Sequence, residues 1–418
     1  MYSEGKMSAD LLTRSGVRRL IDVTADIYRE ALDAPTIGYE IPPSMRKKLE
    51  EDIFVFSGFK TYHQLKEASL LLRDDAGNLK PFGQFYRDVA QIREKYNRNW
   101  LRAEYNFATA SAEMAAQWTA YAGEKEYTNL QYRTALDDKV RPEHAALEGV
   151  TLPQYDPFWN TAFPPNGWNC RCHVIPVPQE GHTTSNSEAA RLSFRQLTEG
   201  RDSIFRFNPG KEAVLFPPHH PYYGKQGYRH CANQRLAAND DKHDPSDPCS
   251  VYRTLKEIEQ EERELTDARE SAKKNIQICK KMIPPFDGFA IVEGKEVVSG
   301  RMLILRGSLD SIREHAYTDI NMQKWLSELN LNHPLKVRYI GWGEVRYKEM
   351  ESGKKERKHP EAELFTYYEV EIAGKPYYIN AKAHRRFNLD EVIYTIEPTK
   401  PTDLKNGIPD IYNKTTRK

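Results

Sequence analysis

Residues 164–177 read PPNGWNCRCHVIPV and place two of the chain's 5 cysteines one residue apart, beside an arginine and a histidine. In an extended segment side chains alternate, so Cys170 and Cys172 share a face and their sulfurs can meet one tetrahedral metal. His144 or His173 would complete part of such a zinc site. Two other readings stand beside it: reduced thiols packed in a small core, and a redox pair whose thiol pKa is lowered by Arg171, although the spacing is not CxxC. Upstream, Asp137, Asp138, Arg141 and His144 bring together residue types found at catalytic sites. The stronger reading of the same residues is a buried Arg and Asp pair that fixes an irregular, proline-rich loop without regular backbone hydrogen bonds. A second metal-type cluster joins His230 and Cys231 with His243 and Cys249, at a spacing that fits no standard finger.

The elements that would position these residues follow from periodicity. Phe85, Val89, Ile92, Tyr96, Trp100, Ala103, Phe107 and Ala110 recur at spacings of three and four, which predicts a helix starting at or just after Pro81. VRRLIDVTADIYREALD is an earlier helical pattern, so residues 1–80 read as a helical N-terminal region. After Gly123 the texture turns to short extended pieces broken by proline and glycine, a loop-rich core within residues 81–249. Residues 250–285 are a charged helix whose apolar positions, Leu255, Ile258, Leu265, Ala268, Ala272 and Ile276, make a narrow stripe. That pattern reads as a solvated linker, with a domain boundary at its end.

Residues 286–400 read as α then β. SLDSIREHAYTDINMQKWLSELN is helical, with Ser308 or Asp310 as cap, and the alternating runs after it predict an antiparallel sheet of about four strands with a hairpin at AGK. Residues 401–418 read as a loose tail. The expected fold class is α+β: helical N-terminal region, loop-rich mixed core, charged linker helix, and a small antiparallel sheet with helices.

Composition narrows the function classes. At 418 residues the chain should hold roughly two or three domains. A formal charge of +1 gives no global attraction to nucleic acid or acidic lipid, so such a partner would need a local patch. Mean hydropathy is −0.75, no apolar run approaches the length of a membrane span, and the opening residues lack the apolar core of a secretory signal. We therefore expect a protein made and kept soluble in a cytoplasm, with no membrane partner. The five cysteines are too scattered for the framework of a small secreted domain, which makes a disulfide the weaker reading of the CxC pair.

From Tyr132 the chain runs YRTALDDKVRPEHAALEGV, then DPFWNTAFPPNGWNCRCHVIPV, then FRFNPGKEAVLFPPHHPYYGK. This ordered succession resembles the phage head morphogenesis family of Mu F-like minor head proteins. The resemblance rests on Arg133, Asp137, Asp138, Arg141, Pro142, His144, Gly149, Phe158, Pro164, Pro165, Gly167, Asn169, Cys170, Arg171, Cys172 and Pro176, followed by NPGK and HPY, and covers roughly residues 80–225. It implies a minor head component of a tailed phage or prophage, working in the host cytoplasm during assembly and then inside the head near the portal. The implied partners are portal and major capsid proteins and phage DNA. Arg133, Asp138, Arg141, His144, Asn169 and Arg171 would be its structural motif.

Members of that family often carry a further module, and several resemble small RNases or toxins of the barnase, EndoU and colicin type. Metal-independent RNA cleavage needs a base for the 2′-hydroxyl, an acid for the leaving oxygen and cations on the phosphate. Within residues 286–400 the matching types are His315 with His384 or His359 as acid and base, Arg338 and Arg385 on the phosphate, and Thr395 or Tyr394 as hydrogen-bonding partner. An RNA substrate and an immunity protein would then be partners, and the head region could serve only as a packaging address. The competing readings are a docking sheet with KKERKH as a solvated basic loop, and a zinc-dependent host regulator.

Overall fold

The computed structural model describes residues 8–34, 39–123, 129–224, 227–229, 231, 247–349 and 355–412, and the chain divides into two compact units between Ile258 and Glu259. The mixed helix and sheet content is the α+β class read from the sequence.

The first unit is built on four long helices. Helix α1 (Ser15–Asp33) buries Ile21, Thr24, Ala25, Tyr28, Ala31 and Leu32, one stripe at helical spacing. Helix α2 (Pro43–Leu70) starts with proline in its first turn, where the missing N–H has no partner to lose. Between Leu49 and Tyr62 its buried residues run around the whole circumference, so it is the central helix of the core. Gly58 is required there: a Cβ would lie 2.2 Å from the Leu255 side chain. Helix α3 (Phe82–Glu94) begins directly after Pro81, as the periodicity predicts, and passes through a π-helical turn, Lys95–Trp100, into α4 (Leu101–Gly123). The extra residue of such a turn shifts the helical phase, which puts Tyr96 fully inside.

Polar groups tie this core. Glu104 accepts from Tyr28 at 2.6 Å and from Tyr222 at 2.9 Å, and it pairs with the buried Lys60 ammonium, which also donates to the Tyr96 carbonyl at 3.0 Å. Asp52 accepts from the backbone N–H groups of Leu215 and Phe216 at 2.8 and 3.1 Å and from the Tyr228 hydroxyl at 3.0 Å. The N-terminal helices therefore share one core with α4, with Leu215, Phe216, Tyr222, Tyr223 and Tyr228, and with the first turns of the long charged helix, where Val251, Leu255 and Ile258 are buried.

A small antiparallel sheet, order β2-β1-β3, carries the loop-rich segment: β1 (Asn129–Arg133), β2 (Thr151–Pro153) and β3 (His173–Val177). Around it lie the short helices α5 (Pro142–Ala145), α6 (Trp159–Ala162), α7 (Ser187–Leu197) and α8 (Pro209–Glu212). Leu130, Tyr132, Leu152, Phe158, Trp159, Phe163 and Val174 form the core beneath.

Helix α9 (Pro248–Met282) is the charged stretch. It is more than a solvated spacer, because Ala272, Ile276 and Cys279, with Ile283 just beyond, belong to the core of the second unit. That unit holds a six-stranded sheet, order β4-β5-β11-β10-β9-β6, and a two-stranded β7-β8 ribbon. The strands are β4 (Phe289–Glu293), β5 (Arg301–Ile304), β6 (Val337–Glu344), β7 (Tyr347–Glu349), β8 (Lys355–Arg357), β9 (Ala362–Ile372), β10 (Lys375–His384) and β11 (Glu391–Glu397). All pairs in the six-stranded sheet are antiparallel except β5 with β11. The expectation of about four strands missed β4 and β5, whose sequences FAIVE and RMLI are short and do not alternate. The AGK hairpin is as expected: Ala373 and Gly374 both have positive φ, 52° and 72°, the backbone a two-residue turn between twisted strands requires.

The predicted single helix is two, α10 (Arg306–His315) and α11 (Ile320–Glu328). Neither Ser308 nor Asp310 is an N-cap. Ser308 sits inside α10 and accepts from the Leu305 N–H at 3.2 Å, Asp310 pairs with Lys280, and Asp319 caps α11. Part of the tail is also anchored, since Lys405 bridges to Trp342 and the Tyr412 hydroxyl donates to the Leu389 carbonyl at 2.7 Å.

Candidate functional site

Cys170, Cys172 and His144 come together. Pro142 opens the one-turn helix α5 and brings His144 under the sheet edge, where it is 3% exposed. Across from it the chain turns through Gly167 and Asn169 (φ 56°), a left-handed position that asparagine tolerates. Gly167 is held by close approach: a Cβ would stand 2.6 Å from an Arg141 guanidinium nitrogen. Just before β3 the two sulfurs reach His144 Nδ1, Cys170 at 3.7 Å and Cys172 at 3.4 Å. His173, the other histidine considered, is exposed at the start of β3 and is not part of the cluster.

The rest of the motif builds the frame. Arg141 donates to the Trp168 carbonyl at 2.6 Å, and Arg171 makes a two-pronged ion pair with Asp137 at 2.5 and 2.7 Å. The expected pairing of Arg141 with an aspartate is therefore replaced: the loop is fixed by an arginine on a carbonyl, and the aspartate pair is exposed rather than buried. Asp137 is held down at about 2, chiefly by its Arg171 hydrogen bonds. Asp138 is exposed. Arg133 pairs with Glu148 at 3.1 Å, and Asn169 accepts from Asn106 of α4 at 3.0 Å. Cys170 is pulled well below the ordinary thiol value by its hydrogen bond with Cys172 and by His144, while Cys172 is pushed up by the same pairing with Cys170. A cleft of about 250 Å³, lined by Lys139, Val140, Arg141, Trp168 and Asn169, opens onto the cluster.

The second metal-type cluster is lost. Cys231 and Cys249 are joined in a disulfide with Cα atoms 5.1 Å apart, which takes both sulfurs, and His230 and His243 lie outside the described residues. These cysteines stand 18 positions apart in the sequence, so their proximity is set by the fold rather than by a local pattern.

In the second unit the candidate residues separate. His384 Nδ1 accepts from the Arg386 N–H at 3.3 Å, and its ring packs on Phe387. Arg338 donates to Glu369 at 2.7 Å, Arg385 to Glu363 at 2.7 Å, and the buried Thr395 to Glu397 at 3.1 Å. His315 is exposed at the end of α10, with Nδ1 at 2.8 Å from the Ser311 carbonyl. What gathers is a group around Tyr394: His315 and His359 lie edge-on to its ring, and Lys382 stands over it at 3.8 Å while donating to Glu361 at 2.7 Å. His359 and Tyr394, the two alternates, line a cleft of about 420 Å³ with Arg346, Lys358, Tyr367, Tyr378 and Lys400. None of His315, His384, Arg338, Arg385 and Thr395 lines it. Sequence reasoning missed Tyr367, Tyr378 and Asn380 in this wall. The signal was there in the alternation along β9 and β10, which sends Tyr368 and Ile379 to the core and their neighbours to the other face.

Among the described residues no helix is long and apolar enough to cross a membrane. Residues 77–175 match the family described as Phage Mu protein F like protein. The "Putative capsid assembly protein F" of Escherichia phage Mu is 41% identical over 75 residues, 18% of this chain and 17% of that protein. The "Mu-like prophage FluMu F protein" of Haemophilus influenzae is 40% identical over 58 residues, 13% of this chain and 14% of that protein. The chain thus aligns with less than a fifth of each of these relatives. No solved structure matches it. The NPGK and HPY elements lie beyond the matched segment, whereas the stretch from α3 through the Cys–His cluster lies within it, so it is over residues 77–175 that this chain is similar to the Phage Mu protein F like family.

Proposed function

We propose that the protein is a minor head component of a tailed phage or prophage that acts in capsid assembly by docking against portal and major capsid proteins, first in the host cytoplasm and then within the virion. The observation that carries this reading is the match over residues 77–175, whose motif residues form a rigid loop platform on α4 and β1. Loops fixed on a rigid scaffold are where binding surfaces concentrate. The Arg171–Asp137 pair stands at the surface of this platform and gives a partner charged groups of both signs. The test is to express the tagged full chain in a host producing the phage particles and to separate heads by sedimentation. The chain should travel with the heads at a fixed low ratio, and Asp137→Ala with Arg171→Ala should release it. Recovery only in the free fraction overturns the reading.

A second reading concerns the second unit, favoured by the cleft that joins His359 and Tyr394 to basic and aromatic side chains. Single-stranded RNA is bound by stacking on aromatics and by cations along the backbone. His359 is lowered from its ordinary value chiefly by burial, so it is neutral at pH 7 and suited to take the 2′-hydroxyl proton. Arg346, Lys358 and Lys400 would meet the phosphate. Such a payload would travel with the DNA, would need an immunity protein, and would make the head segment a packaging address. Expression of the full chain in bacteria should then arrest growth and degrade RNA, and His359→Ala should abolish both while Arg338→Ala does not. Intact RNA, or breakdown indifferent to His359→Ala, sinks this second reading and leaves the docking one standing.

A further inference from the structure

We infer that His144, Cys170 and Cys172 hold a zinc ion whose fourth coordination place faces the cleft beside them. The three ligand atoms lie within 4.8 Å of one another. Zinc bound tetrahedrally at about 2.3 Å from sulfur and about 2.0 Å from nitrogen fixes the nitrogen–sulfur separation at about 3.5 Å. The two separations here, 3.4 and 3.7 Å, straddle that value, so the ion enters with shifts of a few tenths of an ångström at most. Two sulfurs and an imidazole are the donors that zinc prefers over the oxygen-seeking cations.

The surroundings fit a charged site. Two thiolates and a zinc dication sum to neutrality, and Arg141 lines the same cleft with a hydrogen bond left to shape the turn rather than a carboxylate to compete for the metal. His144 and Cys172 are buried, which excludes water from one side of the ion. On the other side the cleft of about 250 Å³ has room for a bound water, which needs about 30 Å³. Among the described residues the group has three members, and the proposal gives the fourth place to solvent or to whatever enters the cleft. This is the three-ligand arrangement with an open place, as distinct from a closed four-ligand structural site.

The ion would do structural work that the backbone here does not. Residues 164–172 make no strand, and the cluster joins that stretch to α5 across a sequence gap of 26 residues for Cys170 and 28 for Cys172. A metal there pins the turn that presents Arg171 at the surface.

The experiment is metal analysis of the full chain purified in reductant and dialysed against metal-free buffer. About one zinc per chain is expected for a site of this type. Cys170→Ser, Cys172→Ser and His144→Ala should each lose it, and Cys279→Ser, a buried thiol of the second unit, should keep it. Because a variant could lose zinc by failing to fold, the wild-type chain is also exchanged with cobalt(II). Thiolate-to-cobalt charge-transfer bands in the near ultraviolet and intense visible bands of tetrahedral cobalt are expected. Wild-type chain with less than a tenth of an equivalent of zinc, no such bands, and Cys170 free to react with a thiol reagent in the presence of zinc overturns the proposal. Head association measured on the same preparation is a separate readout, so failure of the metal site and failure of the assembly reading are told apart.

Discussion

Asp52 offers the sharpest test of how the first unit is held together. Its carboxylate is buried at the middle of α2 and accepts from two backbone N–H groups and the Tyr228 hydroxyl, yet burial outweighs these bonds and raises it from 3.8 to about 6. A folded-state value above the unfolded one means that the native protein binds the proton more tightly. The associated stability is fully present below pH 3.8 and is lost as pH rises through about 6. A rise of roughly two units corresponds to about 3 kcal/mol between those limits. The Asp52→Asn variant replaces the carboxyl with a neutral mimic: the amide oxygen still accepts from Leu215 and Phe216, and the amide nitrogen can donate to Tyr228. The variant should match the wild type at about pH 3, below the unfolded-state value, and be more protected by roughly 100-fold at pH 8, the equivalent of about 3 kcal/mol. Amide hydrogen exchange of the peptide carrying residues 215–228, corrected for intrinsic rates, reads this core without interference from the second unit. A variant equally or less protected than wild type at pH 8 would refute the argument that desolvation dominates at Asp52.

Two further outcomes follow from the same core. Gly58→Ala forces the Leu255 side chain aside and should cost about 1–3 kcal/mol as overpacking; thermal melting reads it, and adding Leu255→Ala should recover part of the loss. Glu104→Gln leaves the Lys60 ammonium buried without its counter-charge and should cost about 3–5 kcal/mol, seen in denaturant unfolding; a change below about 1 kcal/mol would mean that Lys60 is not charged in the folded state.

Much of this was legible in residue order, for reasons that differ by element. The helix after Pro81 and the hairpin at Ala373–Gly374 are local: proline's missing donor and the positive φ of a tight turn act within a few residues. The Cys170–Cys172–His144 grouping was legible because the spacing of two put both sulfurs on one side, and the choice of His144 over His173 came from α5, which sequence alone did not place. Non-local contacts were not legible. Nothing near Arg338 or Arg385 announces Glu369 or Glu363, which face them from the neighbouring strand β9, and the Cys231–Cys249 bridge closes a loop through residues with no pattern. The separation of one expected helix into α10 and α11 turned on Asp319, which caps α11 and also accepts from Tyr377 of β10 at 2.9 Å.

Helix α9 bears on how such chains are inherited. Ile258 is the last of its residues sunk in the first core, Ala268 is the next buried one, and the turns between them keep their side chains in or near solvent. A gene segment encoding the second unit that was spliced in after Pro285 would arrive without Ala272, Ile276 and Cys279, and so with an uncovered sheet. The workable seam for recombination is inside the helix, between residues 259 and 267, where any two charged sequences can be joined provided the helix runs on unbroken. Second units exchanged at that seam would carry their own half of the helix with them.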